Sequence, residues 1–201
     1  MRRIATGLAA LLALAGPLSA RAQEAPRRID LGTAEGARAV KAEWRYAPAT
    51  LVPVEFKGQD GTMQKGLDIS PHAEAPGFDD SAWEVLDPTT LGQRRGPGKV
   101  CFAWYRVKVT LPEGVAGKAV RFSTVVDDYG EVWVDGKLPY KAGQNGGAIV
   151  AGFNAANVVE LADPNPGKTY SIAVFGINGP ISVAPINRIF LRDTFLEIAP
   201  K

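Results

Sequence analysis

AVRFSTVVDDYGEVWVDGK, residues 119–137, reads as strands. Val120, Phe122, Thr124 and Val126 alternate with Arg121, Ser123 and Val125, and beyond the polar break Asp127-Asp128-Tyr129-Gly130 a second alternation sets Val132 and Val134 against Glu131, Trp133 and Asp135. A period of two places successive side chains on opposite faces of a half-buried sheet. Asp135-Gly136 closes the second strand, because a two-residue turn needs positive φ at its central positions and Asp and Gly tolerate it. The stretch therefore predicts two core strands, a polar connection and a hairpin turn.

The same patterning extends outward. Residues 100–111 predict a long strand with Phe102, Trp104, Arg106 and Lys108 on one face and Cys101, Tyr105, Val107 and Val109 on the other, with a slip at Ala103. Residues 169–177 predict another, Tyr170, Ile172 and Val174 facing one way and Ala173, Phe175 and Ile177 the other. Shorter strands are expected at 84–86, 148–150 and 158–161, and a final strand at 189–198. The aromatic and aliphatic residues of 42–56 suggest one or two strands bent by Pro48 and Pro53. Residues 57–77, polar and rich in glycine, read as a long connection, and Asp79 or Asp80 as a turn that delivers Phe78 and Trp83 to the core. No segment of ten or more residues after the leader has helical periodicity. About ten short strands separated by turn signals describe an all-β fold, a jelly-roll β-sandwich.

Arg2 and Arg3, the apolar run 4–15 and the small-x-small pattern Ala20-Arg21-Ala22 form a secretory signal peptide, residues 1–22. Its apolar run is shorter than the roughly 20 residues needed to span a bilayer. The expectation is an exported, periplasmic or secreted protein with no membrane association after cleavage. Residues 23–41 read as an N-terminal arm or first short strand at 28–31, and residues 42–201 as the sandwich domain. Three of the 23 Lys and Arg fall in the leader, which leaves 20 against 21 acids, so the remaining chain carries about one net negative charge. That balance gives no basic stripe for a nucleic-acid partner. Cys101 is the only cysteine and His72 the only histidine. The thiol falls in an apolar strand and the imidazole in a loop, so a Cys–His or Ser–His–Asp centre is not expected and Cys101 reads as a buried, inert thiol.

Phe78-Asp79-Asp80-Ser81-x-Trp83, Trp104-Tyr105-Arg106 opening a strand that ends in Leu111-Pro112, Val120-x-Phe122 running to Val132-Trp133-Val134-Asp135-Gly136, and Tyr170-Ser171-Ile172-Ala173-Val174 occur in the order found in galactose-binding-like jelly rolls. Over residues 78–177 the chain resembles the sugar-binding domain of family 2 glycoside hydrolases, where the hairpin usually reads Trp-x-Asn-Gly and Asp135 here replaces the Asn. A weaker resemblance, to modules attached to gluconolactonase-like proteins, rests on residues 174–181. The family's catalytic carboxylates lie on a following barrel domain, outside the matched stretch. What carries over as an expectation is contact with a carbohydrate or glycoconjugate, without its hydrolysis.

A sugar site pairs an aromatic face with planar polar groups. The candidates are Arg106, Asp127, Asp128, Tyr129, Glu131, Trp133, Asn145, Asn154 and Asn178. For each, a structural role competes: Trp133 as core, Arg106 as ion-pair partner of Asp127 or Asp128, and the acidic run as a solvated turn. No cofactor is called for, although a structural calcium ion could use the Asp127–Glu131 oxygens with backbone carbonyls. Two further readings stand beside the binding module. One is a protein-interaction module docking on a separately encoded enzyme through an exposed apolar patch, with the 178–188 loop as its candidate; the other is a small glycoside or sugar-lactone hydrolase using the Asp127–Glu131 carboxylates.

Overall fold

The computed structural model describes residues 24–139, 151–179 and 188–201. Its strands are β1 (Arg27–Asp30), β2 (Glu43–Lys57), β3 (Met63–Ser70), β4 (Glu84–Leu86), β5 (Cys101–Thr110), β6 (Lys118–Asp127), β7 (Tyr129–Val134), β8 (Ala156–Glu160), β9 (Thr169–Asn178) and β10 (Phe190–Pro200), with one short helix, α1 (Ala34–Ala39). They form two antiparallel sheets, a four-stranded one ordered β1-β10-β6-β8 and a six-stranded one ordered β3-β2-β5-β9-β7, with β4 against β2. The all-β jelly-roll expectation is met.

The core lies between the sheets and follows the alternation. Val120, Phe122, Thr124 and Val126 of β6 are fully or almost fully buried, as are Tyr105, Val107 and Val109 of β5 and Tyr170, Ile172 and Val174 of β9. Thr124 is the one polar member of its row, and its hydroxyl is satisfied by Thr194 Oγ1 at 2.8 Å. Ala103 needs no slip: it shares the inward face with Cys101 and Tyr105. Its small side chain carries little patterning signal.

The polar break does not join two neighbouring strands. β6 belongs to the four-stranded sheet, and β7 pairs with β9 of the six-stranded one, so Asp127-Asp128 carries the chain from one layer to the other. The crossing is tight. A Cβ on Gly130 would lie 2.4 Å from Val126 Cγ2, and its register partner Gly176 is equally confined, with Ile189 Cγ2 at 2.7 Å. At the far end of β7, Asp135 and Gly136 have φ of +50° and +75°, and Val134 and Lys137 exchange hydrogen bonds of 2.9 and 3.0 Å across the expected two-residue turn. Asp135 also accepts from the Ser171 N–H at 2.8 Å, which ties the turn to β9.

One stretch differs from the sequence reading, and two that the reading left open are decided. For residues 23–41, read as an arm or first short strand at 28–31, the strand forms and the described residues 24–41 are knit into the sandwich: β1 pairs with β10, Leu31 and Val40 are completely buried, and Trp44 Nε1 donates to Leu31 O at 3.3 Å. Residues 42–56 form a single strand, β2, despite two prolines. Within 57–77, read as a connection, β3 pairs with β2 from Thr50–Ser70 to Lys57–Met63. The expected strand at 148–150 lies outside the described residues.

A second apolar layer covers the outer face of the six-stranded sheet. Trp104, Ala173 and Phe175 pack there with Ala49 and Ala73, flanked by Phe78, Trp83, Phe102, Trp133 and Ile177. The segment from Pro71 to Trp83 runs over this face as a strap. Trp104 Nε1 donates to Pro71 O at 2.8 Å, and the Phe78 and Trp83 rings meet at 5.3 Å.

Candidate functional site

Arg106 belongs to the strap and not to the acidic run. Its side chain is 2% exposed, its Nε donates to Asp80 Oδ2 at 2.8 Å, and Nη1 donates to Ala73 O and, at 3.0 Å, to Ala75 O. The guanidinium also lies 5.4 Å from the Phe78 ring centre. Asp79 Oδ1 accepts from Ser81 N–H at 3.0 Å and Trp83 N–H donates to Asp80 O at 3.0 Å, the turn expected from Phe78-Asp79-Asp80-Ser81. Arg106 therefore pairs with Asp80, where the sequence reading had offered Asp127 or Asp128. A depression of about 510 Å³ opens beside the strap; Lys41, Glu43, Arg45, Asp79, Asp80 and Lys108 dominate its wall, and Phe78 is its one aromatic.

The remaining candidates divide between two faces. Asp127 ends β6 opposite Phe190 and has the parity of Arg121, Ser123 and Val125, which turns it to the outer side of the four-stranded sheet. Glu131 and Trp133 lie opposite Phe175 and Ala173, on the outer side of the other sheet, where Trp133 Nε1 donates to Glu131 Oε2 at 3.2 Å. Asp127 and Glu131 thus diverge, whereas glycoside hydrolysis needs two carboxylates flanking one bond. Trp133 packs half-buried against the outer apolar layer.

Asp128 and Asn178 are joints. Asp128 is 1% exposed; its carboxylate accepts from Gly179 N–H at 3.0 Å, its N–H donates to Ile177 O at 3.2 Å and its carbonyl accepts from Asn154 N–H at 2.9 Å. Asn178 is fully buried and its Nδ2 donates to Lys99 O. Between them they lace the layer crossing, the end of β9, the start of β5 and the 151–155 turn into one unit. Asn154 takes the positive φ of that turn, +51°. Asn145 lies outside the described residues, as does most of the 178–188 loop. Among the described residues no group of three or more His, Cys, Asp or Glu side chains is placed to hold a metal ion. Cys101 is buried in the inter-sheet core, and burial pushes its thiol pKa up; His72 is exposed on the strap, bonded to Asp68 at 3.2 Å, so the two form no pair.

Burial raises the Asp127 carboxyl above its ordinary value of 3.8, and the neighbouring Asp128 pushes the same way, opposed by the Asn154 side chain, Arg94 and Arg192. The sign follows from linkage. A group whose folded-state pKa is raised supports the fold fully below its unfolded pKa and loses that support as pH rises through the folded value. Asp127→Asn is expected to raise the melting temperature near pH 7, with the gain vanishing as pH falls to about 3.8. Thermal denaturation across that range checks it, and a loss of stability at pH 7 would show instead that the Asn154, Arg94 and Arg192 contacts outweigh burial.

Around these joints, Phe153, Phe190 and Arg94, which were not singled out from sequence, join the candidates Tyr129 and Asn154. Phe153 is 57% exposed and meets the Tyr129 ring edge-on at 5.9 Å. The Arg95–Ile189 bridge sets Arg94 beside Phe190, its guanidinium 5.7 Å from the ring centre, and Phe190 is the register partner of Asp127. Arg94 and Arg192 are both exposed. Tyr129, Phe153, Asn154, Phe190 and Arg94 thus form a band of rings and polar groups around one end of the sandwich, with the buried Asp127 carboxyl behind it. The only sequence signals were solitary aromatics in polar, glycine-containing or basic surroundings.

This architecture is that of a galactose-binding-like jelly roll, the fold expected from the family 2 glycosidase resemblance. No family model and no curated protein matches the chain. Among solved structures, it is similar to a β-glucuronidase of Bacteroides uniformis (18% identity, TM-score 0.54, covering 88% of this chain and 18% of that one), also seen as β-glucuronidase 2 covalently bound to cyclophellitol-6-carboxylate aziridine with the same figures. A β-glucuronidase from glycoside hydrolase family 2 aligns at 13% identity with a TM-score of 0.51, covering 87% of this chain and 18% of that one. At these identities the likeness is one of fold, and the chain spans about a fifth of the length of the enzymes it matches.

Proposed function

We propose that this chain is an exported, non-catalytic carbohydrate-binding module. The observation that supports the reading best is the band at the Asp127 end of the sandwich, where the exposed Phe153 ring, backed by Tyr129, stands beside Asn154 and the Asp127–Phe190–Arg94 row. An aromatic face accepts the apolar side of a pyranose, and the half-buried Asn154 amide and the exposed Arg94 guanidinium supply directional partners for its hydroxyls, with the buried Asp127 carboxyl orienting the amide from behind. Asp128 and Asn178 serve this site indirectly, by holding the layer crossing in place, whereas Arg106 holds the strap. The divergence of Asp127 and Glu131 favours binding over hydrolysis, as does the small share of the matched glycosidases that this fold represents.

An open, shallow surface of this kind binds weakly, with a dissociation constant on the order of 1 mM, equivalent to about −4 kcal/mol. Calorimetric titration with neutral and uronic-acid oligosaccharides of plant, bacterial and animal origin is the test. Saturable binding that weakens at least tenfold in Phe153→Ala, with the melting temperature unchanged, is the expected result. Silence across the panel, or binding indifferent to Phe153→Ala and Tyr129→Ala, would sink the proposal.

A further inference from the structure

β2 is 15 residues long, but only Glu43 to Ala49 pair with β5. From Thr50 to Lys57 the strand has β3 as its single neighbour among the described residues, so β2 and β3 leave the sheet as a two-stranded ribbon roughly 25 Å long. Such ribbons are marginal on their own, and this one exposes Leu51, Phe56, Met63 and Leu67 at 43–66%. Half of the large exposed hydrophobic side chains among the described residues stand on it.

The two edges of the ribbon are not equivalent. Ile69 N–H donates to its own Asp68 Oδ1 at 2.8 Å and so points away from β2. Ile69 faces Leu51 in register, hence Leu51–Ile69, Pro53–Leu67, Glu55–Lys65 and Lys57–Met63 are the wide, non-hydrogen-bonded pairs of the ladder. Pro53, which has no N–H, fits that assignment. The free edge of β2 is therefore blunted by a proline, a common protection against edge pairing, whereas β3 presents the N–H groups of Met63, Lys65 and Leu67 and the carbonyls of these and of Ile69, with no proline among them.

We propose that the β3 edge is the seam of a symmetric dimer, in which β3 of a second copy pairs antiparallel with it about Gly66 and continues the six-stranded sheet. A two-fold axis normal to a sheet keeps its faces, so residues that meet across it must share parity. Centring on Lys65 would oppose two ammonium groups, and centring on Leu67 would set Met63 against Pro71, which cannot donate. Centring on Gly66 pairs Met63 with Ile69 and Lys65 with Leu67 of the second copy, and reciprocally, for about six backbone hydrogen bonds, the Ile69 N–H of each copy staying with Asp68. Gln64 then meets Asp68 of the second copy, and Met63 extends the Leu51–Ile69 row across the seam. Glycine suits the axis: a Cβ on Gly66 would lie 2.9 Å from Phe56 Cε1, so the Phe56 ring lies over it and reaches toward the seam from each side.

Sedimentation equilibrium of the purified protein over about 1–500 µM tests this. A monomer–dimer equilibrium is expected, weakened at least tenfold by Leu67→Pro, which deletes a seam donor without removing a β2–β3 hydrogen bond. Leu67→Lys, which opposes Lys65 of the second copy, is expected to do the same without altering the backbone, and circular dichroism should show both variants folded. A monomer at every concentration overturns the proposal, even if the ribbon captures a separately encoded enzyme, and so does a dimer that ignores both substitutions.

Discussion

Arg106→Ala should destabilise the fold by about 3 kcal/mol, the lower end of the range for removing one partner of a buried ion pair. The substitution leaves Asp80 without its partner under the strap and the Ala73 and Ala75 carbonyls without their donor. Asp80 keeps 19% exposure and a weaker ion pair with Arg45 at 3.7 Å, which sets the effect at the low end. For a chain of this size the melting temperature should fall by about 10 °C. Arg106→Lys should recover only part of the loss, because an ammonium cannot reach the carboxylate and two carbonyls with the geometry of a planar fork. A variant as stable as the parent, with diminished sugar binding, would instead return Arg106 to the role of ligand contact.

Trp104→Ala is expected to cost about 4 kcal/mol, as deletion of a large buried ring does. The indole is fully buried, meets the Phe175 ring at 4.8 Å and spends its one donor on Pro71 O. Because Trp104 and Arg106 hold the same strap, the double variant should lose less than the two single losses combined, by about 1 kcal/mol. Chemical denaturation of the four proteins in the cycle measures it. Strict additivity would mean that the strap is held at independent points.

The fold was legible wherever a row of mostly large apolar side chains faces the inter-sheet core. β6, β5 and β9 each present one face to the inter-sheet core, so alternation wrote itself into Val120–Phe122–Thr124–Val126 and into Tyr170–Ile172–Val174. β3 escaped because the ribbon has no buried face: Met63 and Leu67 are as exposed as Gln64 and Lys65, and a strand without burial contrast carries no period. β1 and α1, four and six residues long, are too short to show one. The site was legible only in part. Asp127-Asp128 reads as a solvated turn, since sequence does not reveal that a polar break between strands is a change of sheet whose residues end up buried. Arg106 was visible as a charge in an apolar strand, but its partner, Asp80, was 26 residues away in a motif read as a turn. The rings that do reach solvent, Phe153 and Phe190, were hidden by their isolation.

The antiparallel pairing of β1 with β10 has one more result. Pro200 lies opposite Lys118, and Lys118 holds Glu24 through a 2.6 Å ion pair, so both ends of the described chain leave the molecule beside a single residue. Asp127 closes the other end of the same strand, roughly 30 Å away. Anything tethered to either terminus would grip the sandwich by one pole, like a lamp on its stem, and leave the ring-bearing pole turned outward.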